Sequence, residues 1–461
     1  MGEPEPDQAP APAVATSAPE PERAPDLLDR ARDWIDKLST WRSAKIALAV
    51  LLACAHLLAF AQAGRVRLNI PFDNAPGAHL QFTNPMVGAL DGHPRQPPHW
   101  SRLVVSRFDA QHYIGFALRG LSACPTDPSK SNDGHAYVDC GLGWLPAYGV
   151  IGGAVSGVTG LEPDVALLLL ALLGAIAVNL LWICPPMIQR LGRFEAFAVL
   201  IAWNCYPGAW NLVALQTESI VVALALGGFV MLLKERWIWA AALVGACTAF
   251  RLPTVSYALA LGGALLVAAW QRRRAGTPRW WLPLLGLPLC GWGQLLTMII
   301  FQIKLGNWHA FLDARFAFGD HNRLSRLVDL SYYMRGFGSQ CADMVVFVGL
   351  VAIVVATWRR VVAGFNRVET TFLAIASAAT AVIAIAGAMQ YWGITRYMML
   401  CPLPFLGAGV LAKHNRWLFV LWLVVCVGIY WHFELCSFIT HGDAHACPCL
   451  GRIELSEPWA S

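Results

Sequence analysis

Charge is scarce in this chain: Asp, Glu, Lys and Arg make up 14% of its 461 residues, against about a quarter in soluble globular domains. With 57% hydrophobic residues there is too little polar surface to cover a water-soluble fold. The catalytic signatures of soluble enzymes are missing too. There is no Gly-rich phosphate loop, no dinucleotide fingerprint after a strand pattern, no His-Glu-x-x-His and no Gly-x-Ser-x-Gly, so coupling to ATP within the chain is not expected. The thirteen cysteines lack the paired spacing of a zinc site. Disordered, collagenous and disulfide-scaffold classes are excluded by the same composition.

What the chain does have is apolar runs, with 20 Trp, 21 Phe and 40 Gly, the composition of an all-α, polytopic transmembrane bundle. The net charge of +5 is modest, and its basic residues cluster in short loops between apolar runs, a sign of topology rather than of nucleic-acid binding. Residues 1–26 are rich in Pro, Ala and Glu and are expected to be a disordered tail, and 27–42 carry apolar residues at helical spacing, an amphipathic interfacial helix. Since a crossing needs roughly 20 apolar residues, spans are expected near 44–63, 164–184, 195–213, 219–233, 282–303, 343–358, 370–389, 397–412 and 417–433. The run 237–270, broken at Arg251-Leu252-Pro253 and basic at both ends, is expected to be a hairpin with Arg251 at the far face.

Arg190 and Arg193, Lys234 and Arg236, Arg272 to Arg279, Arg359, Arg360 and Arg367, and Lys413 and Arg416 mark cytoplasmic loops by the positive-inside rule. The alternation closes if 142–160, with Pro146 and six glycines, is a re-entrant or interfacial helix. That gives about 11 spans, a domain over 43–434 with external loops 64–141 and 304–342, a cytoplasmic N-terminus, and an external C-terminal tail, 435–461. Cys54, Cys184, Cys205, Cys247, Cys290, Cys401 and Cys426 are expected to be packed thiols. Cys124 and Cys140 share an external loop, and Cys436, Cys447 and Cys449 share the tail, so each set forms disulfides only in an oxidising compartment. His441 and His445 with Cys447 and Cys449 could suggest a metal, but an unstructured or disulfide-tied tail is preferred.

This orientation gathers Asp109, His112, Glu218, Arg251 and Arg396 on the external face. Asp109 and His112 share one face of a surface helix. A carboxylate against an apolar slab is expected to have a raised pKa suited to a general base; the alternative is an N-cap or an ion pair with Arg107. Glu218 is either a site residue or a capping acid at a helix start. Arg251 and Arg396 either bind a phosphate or pair with Glu218. His309, Asp313, Arg315, Asp320, His321 and Arg323 read as an ordinary solvated segment. Asp127, Asp133 and Asp139 are either a divalent-cation site or loop solubilisers, the second preferred, so a divalent cation stays an open cofactor and no metal ligand is assigned.

Several elements occur in a suggestive order: Phe108-Asp109-Ala110-Gln111-His112-Tyr113-Ile114, Trp144-Leu145-Pro146-Ala147-Tyr148, Thr217-Glu218-Ser219, Phe250-Arg251-Leu252-Pro253-Thr254 and Arg396-Tyr397. The set resembles the PIG-V-type mannosyltransferases of the GT-C superfamily, over about residues 44–412. The resemblance implies a GT-C-like fold and transfer of mannose or another sugar from a polyprenyl- or dolichyl-phosphate donor to a glycan, lipid or protein acceptor, with inversion, at the external or lumenal face. It implies Asp109 as catalytic base, Arg251 and Arg396 as donor-phosphate ligands, and His112, Tyr113, Glu218, Trp144 and Tyr148 as substrate-binding or site-organising residues. The expected location is a bacterial plasma membrane, or the endoplasmic reticulum of a eukaryote. A lipid-linked-sugar flippase would need an internal repeat, and none is evident; a non-catalytic subunit of a membrane complex is the third reading.

Overall fold

The computed structural model describes residues 30, 34, 35, 37, 41–68, 109–122, 124–126, 136–137, 140–317, 324–339, 341–387 and 394–431. The regular secondary structure of those residues is all helical, with no strand among them. The expected tails 1–26 and 435–461, most of the 64–141 loop, Asp127, Asp133, Asp139, Asp320, His321 and Arg323 lie outside the described residues, as do Cys436, His441, His445, Cys447 and Cys449. Of the expected interfacial helix, Arg30, Trp34, Ile35, Lys37 and Arg42 are helical.

In chain order the helices are α1 (Arg42–Leu68), α2 (Ala110–Arg119), α3 (Ala147–Thr159), α4 (Pro163–Trp182), α5 (Pro185–Leu191), α6 (Arg193–Asn204), α7 (Glu218–Leu233), α8 (Trp237–Cys247) and α9 (Val255–Arg274). They continue as α10 (Trp292–Leu305), α11 (Ala310–Ala317), α12 (Leu330–Ser339), α13 (Cys341–Ala363), α14 (Arg367–Gly387), α15 (Ile394–Met398), α16 (Pro402–His414) and α17 (Arg416–Ile429). Among the described residues, six segments are long and apolar enough to cross a bilayer: Arg42–Gln62, Pro163–Trp182, Leu252–Arg274, Leu282–Leu305, Ala342–Ala363 and Arg367–Ala386. Leu58, Leu173, Ile303, Val355 and Val424 point outward and exposed, as lipid-facing side chains do.

Prolines divide the apolar runs more finely than hydropathy alone predicts. The run expected as one span over 195–213 ends as α6 at Asn204 and resumes as a 3₁₀ turn at Pro207–Leu212, because Pro207 lacks an amide donor and holds Tyr206 extended. The expected 397–412 span likewise divides between α15 and α16 at Cys401, which is extended before Pro402. Pro283 and Pro288 keep Leu282–Leu289 in 3₁₀ form before α10. The predicted hairpin is present as α8 and α9, with Arg251 at its turn.

The segment expected to be re-entrant or interfacial forms α3, whose 13 residues rise about 20 Å, short of a bilayer core of about 30 Å. Its glycines serve packing against α2. A methyl group on Gly149 would sit 2.5 Å from the Tyr113 carbonyl oxygen, and one on Gly153 would sit 2.4 Å from that of Ala117. The helices therefore touch backbone to backbone, which holds α2 against α3. Deep in the core, His56 of α1 lies 3.1 Å from both Tyr430 Oη and Asn204 Oδ1, while Asn204 donates to Asn179 at 3.0 Å. This chain ties α1, α4 and α6 to the end of α17, and it satisfies polar groups that would otherwise be costly away from water.

The bundle has two chemically distinct ends. At one end Arg190 pairs with Glu369, Lys413 with Glu195, and Arg272 with Glu235. At the other lie the start of α2, the start of α7, the α8–α9 turn and α15.

Candidate active site

Four charged side chains from four separate segments meet at that second end. Asp109 occupies the N-cap position of α2, yet its side chain makes no capping hydrogen bond. Its Oδ2 instead lies 2.7 Å from Arg396 Nη1. Glu218, the first residue of α7, is fully buried and accepts through Oε1 from both Arg251 Nη1 and Arg396 Nε. Asp109 and Arg396 keep limited solvent access, at 17% and 16% of their side-chain surface. Four of the five ionisable residues expected to share a face form a contiguous network, Asp109–Arg396–Glu218–Arg251.

Local structure fixes each member. Arg251 is extended immediately before the Leu252–Thr254 turn, whose Thr254 hydroxyl donates to the Arg251 carbonyl at 2.5 Å. The guanidinium carbon of Arg251 also lies 4.9 Å from the centre of the Tyr397 ring, a cation–π placement. The short helix α15 is held by Tyr206, which donates to the Thr395 carbonyl at 2.8 Å, and by the Thr395 hydroxyl, which donates to Asp343 at 2.7 Å.

Aromatic residues form the flank of the network on the α2 side. His112 stacks on Trp144 with ring centres 3.6 Å apart. Tyr113 meets Tyr148 edge to face at 5.2 Å, and Tyr148 donates to the Leu167 carbonyl of α4 at 2.7 Å. Tyr148 is fully buried and organises the site from behind, whereas Trp144 and His112 are partly exposed.

The expected upward shift of Asp109 is corrected by this geometry. Burial acts to raise the carboxyl pKa, but the charges of Arg396 and Arg251, with the Arg396 hydrogen bond, outweigh it and hold Asp109 at about 2. The sequence argument included the apolar slab and lacked the two arginines, which come from far along the chain. Burial pushes His112 down to about 4 against the pull of Asp109, so it is a neutral ring at physiological pH. Burial, joined by the Asp109 charge, pushes Tyr113 up to about 12.

Arg107 lies outside the described residues, and the partner found for Asp109 is Arg396. Of the alternatives open for Arg251 and Arg396, pairing with Glu218 is the one present in the described state. The network still has unspent hydrogen-bonding capacity. Glu218 Oε2 and Arg396 Nη2 are shut from solvent and have no hydrogen-bond partner, a costly state unless a ligand completes it.

Arg315 was missed in the sequence, where it read as part of an ordinary solvated segment. It sits on α11, whose Ala310, Phe311 and Ala314 are buried against Tyr137, Leu142 and Leu145. Its Nη1 donates to the Gly143 carbonyl at 3.2 Å, and its charge acts on Tyr397. The apolar positions 310, 311 and 314 were the available signal for a docked helix. His309 and Asp313, by contrast, pair with each other at 2.8 Å and take no part in the network. The Cys124–Cys140 disulfide is formed, and it joins the two stretches around Cys124 and Cys140 that pack under α11.

Among the described residues, no group of three or more His, Cys, Asp or Glu is placed to hold a metal ion. The arrangement sets two carboxylates beside two guanidinium groups, with Glu218 holding both arginines and Asp109 partly open to solvent, so that an anion competing for the arginines would lie next to a proton acceptor. The chain matches no protein-family model and no curated protein sequence.

Proposed function

We propose that this chain is a membrane glycosyltransferase that moves a sugar, mannose by the motif resemblance, from a polyprenyl- or dolichyl-phosphate donor to an acceptor at the external or lumenal face. The reading takes the bundle as GT-C-like, with about 11 crossings and α3 as an interfacial helix. The observation that carries it is the network Asp109–Arg396–Glu218–Arg251, in which Arg396 Nη2 is buried and unpartnered.

In the proposed reaction the acceptor hydroxyl attacks the anomeric carbon from the face opposite the phosphate. Asp109 takes the hydroxyl proton, the new C–O bond forms, and the anomeric C–O(phosphate) bond breaks with inversion. The lipid phosphate leaves with the bonding electron pair, its charge met by Arg396 and Arg251. Phosphate is already a good leaving group, so no strong general acid is needed. Glu218 keeps the two guanidinium groups converged, and the Tyr113, Trp144 and His112 rings offer an apolar and aromatic wall for the sugar.

The depressed pKa of Asp109 has a mechanistic consequence. A carboxylate tied to Arg396 is a weak base. When a donor phosphate competes for Arg396 and Arg251, the charges lowering the Asp109 pKa are drawn away while its burial remains. The base therefore strengthens when the donor binds.

The test is to incubate purified full-length protein with a radiolabelled polyprenyl-phosphate sugar and a panel of glycan, lipid and peptide acceptors. Transfer is expected in the parent, with Asp109→Asn slower by on the order of 10²–10⁴ and still folded. Parental turnover by Asp109→Asn removes the aspartate from the mechanism. Relocation of the lipid across vesicles without transfer would make the protein a flippase, and neither activity would leave it a non-catalytic subunit.

A further inference from the structure

The opposite end of the bundle carries a groove that the proposed reaction does not use. It lies between α9 and α14, beside the end of α13, and has a volume of about 370 Å³. Its walls are Val267, Trp270, Val362 and Phe365, with Arg367, Thr370 and Thr371 at the start of α14. Arg274, in the last turn of α9, lies with its guanidinium carbon 4.0 Å from the centre of the Trp270 ring. One end of the groove is thus basic and hydroxyl-bearing, and the rest is apolar.

The carboxylates at this end are already engaged. Glu369 takes Arg190 and the Asn366 side chain, Glu235 takes Arg272, and Glu195 takes Lys413. Arg274 and Arg367, both exposed, have no carboxylate partner among the described residues. The Thr370 hydroxyl is shut from solvent and has no hydrogen-bond partner, whereas Thr371 donates to the Arg367 carbonyl at 2.7 Å. Two unneutralised guanidinium groups and an unsatisfied hydroxyl above an apolar trough call for a ligand with an anionic head and a hydrocarbon tail. Trp270, Trp280 and Arg273 stand at the same helix ends, with Arg273 stacked over Trp280 at 5.3 Å, which is the aromatic and basic chemistry of a membrane interface.

We infer that the α9–α14 groove binds an anionic glycerophospholipid of the surrounding leaflet, its phosphate between Arg274 and Arg367 and one acyl chain along Val267, Val362 and Phe365. Charge complementarity selects an anionic head over a zwitterionic one, and the trough selects a lipid over a soluble anion.

The experiment is native mass spectrometry of full-length protein released from mixed phosphatidylcholine and phosphatidylglycerol micelles. The parent and the control Arg273→Gln are expected to retain phosphatidylglycerol in preference to phosphatidylcholine. Arg274→Gln/Arg367→Gln is expected to lose that preference by on the order of thirtyfold, as two basic contacts at a lipid surface would give. Val362→Trp, which fills the trough and keeps both arginines, decides the matter should the double variant not fold, and is expected to lose the retained lipid. Equal retention by the parent and Val362→Trp overturns the inference. So does displacement of the lipid by millimolar inorganic phosphate, which would make a soluble anion the ligand. No outcome depends on glycosyl transfer.

Discussion

Asp109 receives opposing influences from its surroundings: burial favours the neutral acid, while Arg396 and Arg251 favour the anion, and the arginines prevail. Its folded pKa of about 2 lies below the roughly 3.9 of an unfolded aspartate. The stability it contributes is therefore complete above pH 4 and is lost as pH falls toward 2. Within pH 5–8, the unfolding temperatures of the parent and Asp109→Asn should run parallel. The kinetic expectation is sharper. Because kcat/KM reports the free enzyme, it should show no acidic limb from Asp109 above pH 5, whereas kcat should show one at higher pH than kcat/KM, since donor phosphate relieves the ion pair. Coincident acidic limbs in the two profiles would contradict the unmasking of Asp109. Glu218 offers a separate measurement. Glu218→Gln leaves two guanidinium groups facing each other without their shared, fully buried anion, and breaking such an arrangement costs about 3–5 kcal/mol. A marked drop in thermal stability is expected, and a change too small to measure would mean that the arginines find other partners.

At the scale of elements, α2 is useful to the site only if α3 holds it, and Gly149 and Gly153 set how closely they approach. Gly153→Val should push the helices apart, at about 1–3 kcal/mol for overpacking, and move Asp109 away from Arg396. The measurement is paired: unfolding temperature and transfer rate should both fall, and the loss in rate should exceed the loss in folded fraction. The sequence made part of this arrangement readable. Apolar runs located most helices, and Arg251-Leu252-Pro253 located the hairpin turn, because composition and proline act locally. The subdivision at Pro207 and Pro402 was also present as local chemistry, beneath the longer hydropathy signal. The Asp109–Arg396 pair was not readable, since nothing in the spacing between a residue of the first loop and one before α16 states that they touch. The pKa error followed from that gap, and so did the dismissal of Arg315, which acquires its role from Gly143 and Tyr397 in space.

For the whole molecule, the decisive property is that one end of the bundle holds the Asp109 network and the other holds Arg190, Arg274, Arg367 and Lys413. Antiparallel α9 and α14 span between them: Ser256 lies 2.7 Å from Thr380 near the site, while Val267 and Trp270 face Arg367 and Thr370 at the basic end. Positive-inside asymmetry predicts that a bilayer around the bundle leaves the arginine end on the cytoplasmic side and the Asp109 end on the other. That prediction is open to direct test in sealed, right-side-out vesicles with a membrane-impermeant maleimide, using single cysteines added at exposed positions and the parent as background. Ser325→Cys, in the segment between α11 and α12, should label without permeabilisation. Pro278→Cys, in the basic loop after α9, should label only after the vesicles are opened. The reverse pattern would expose Asp109 to the cytosol, and an external transfer reaction built on it would then have no access to its acceptor.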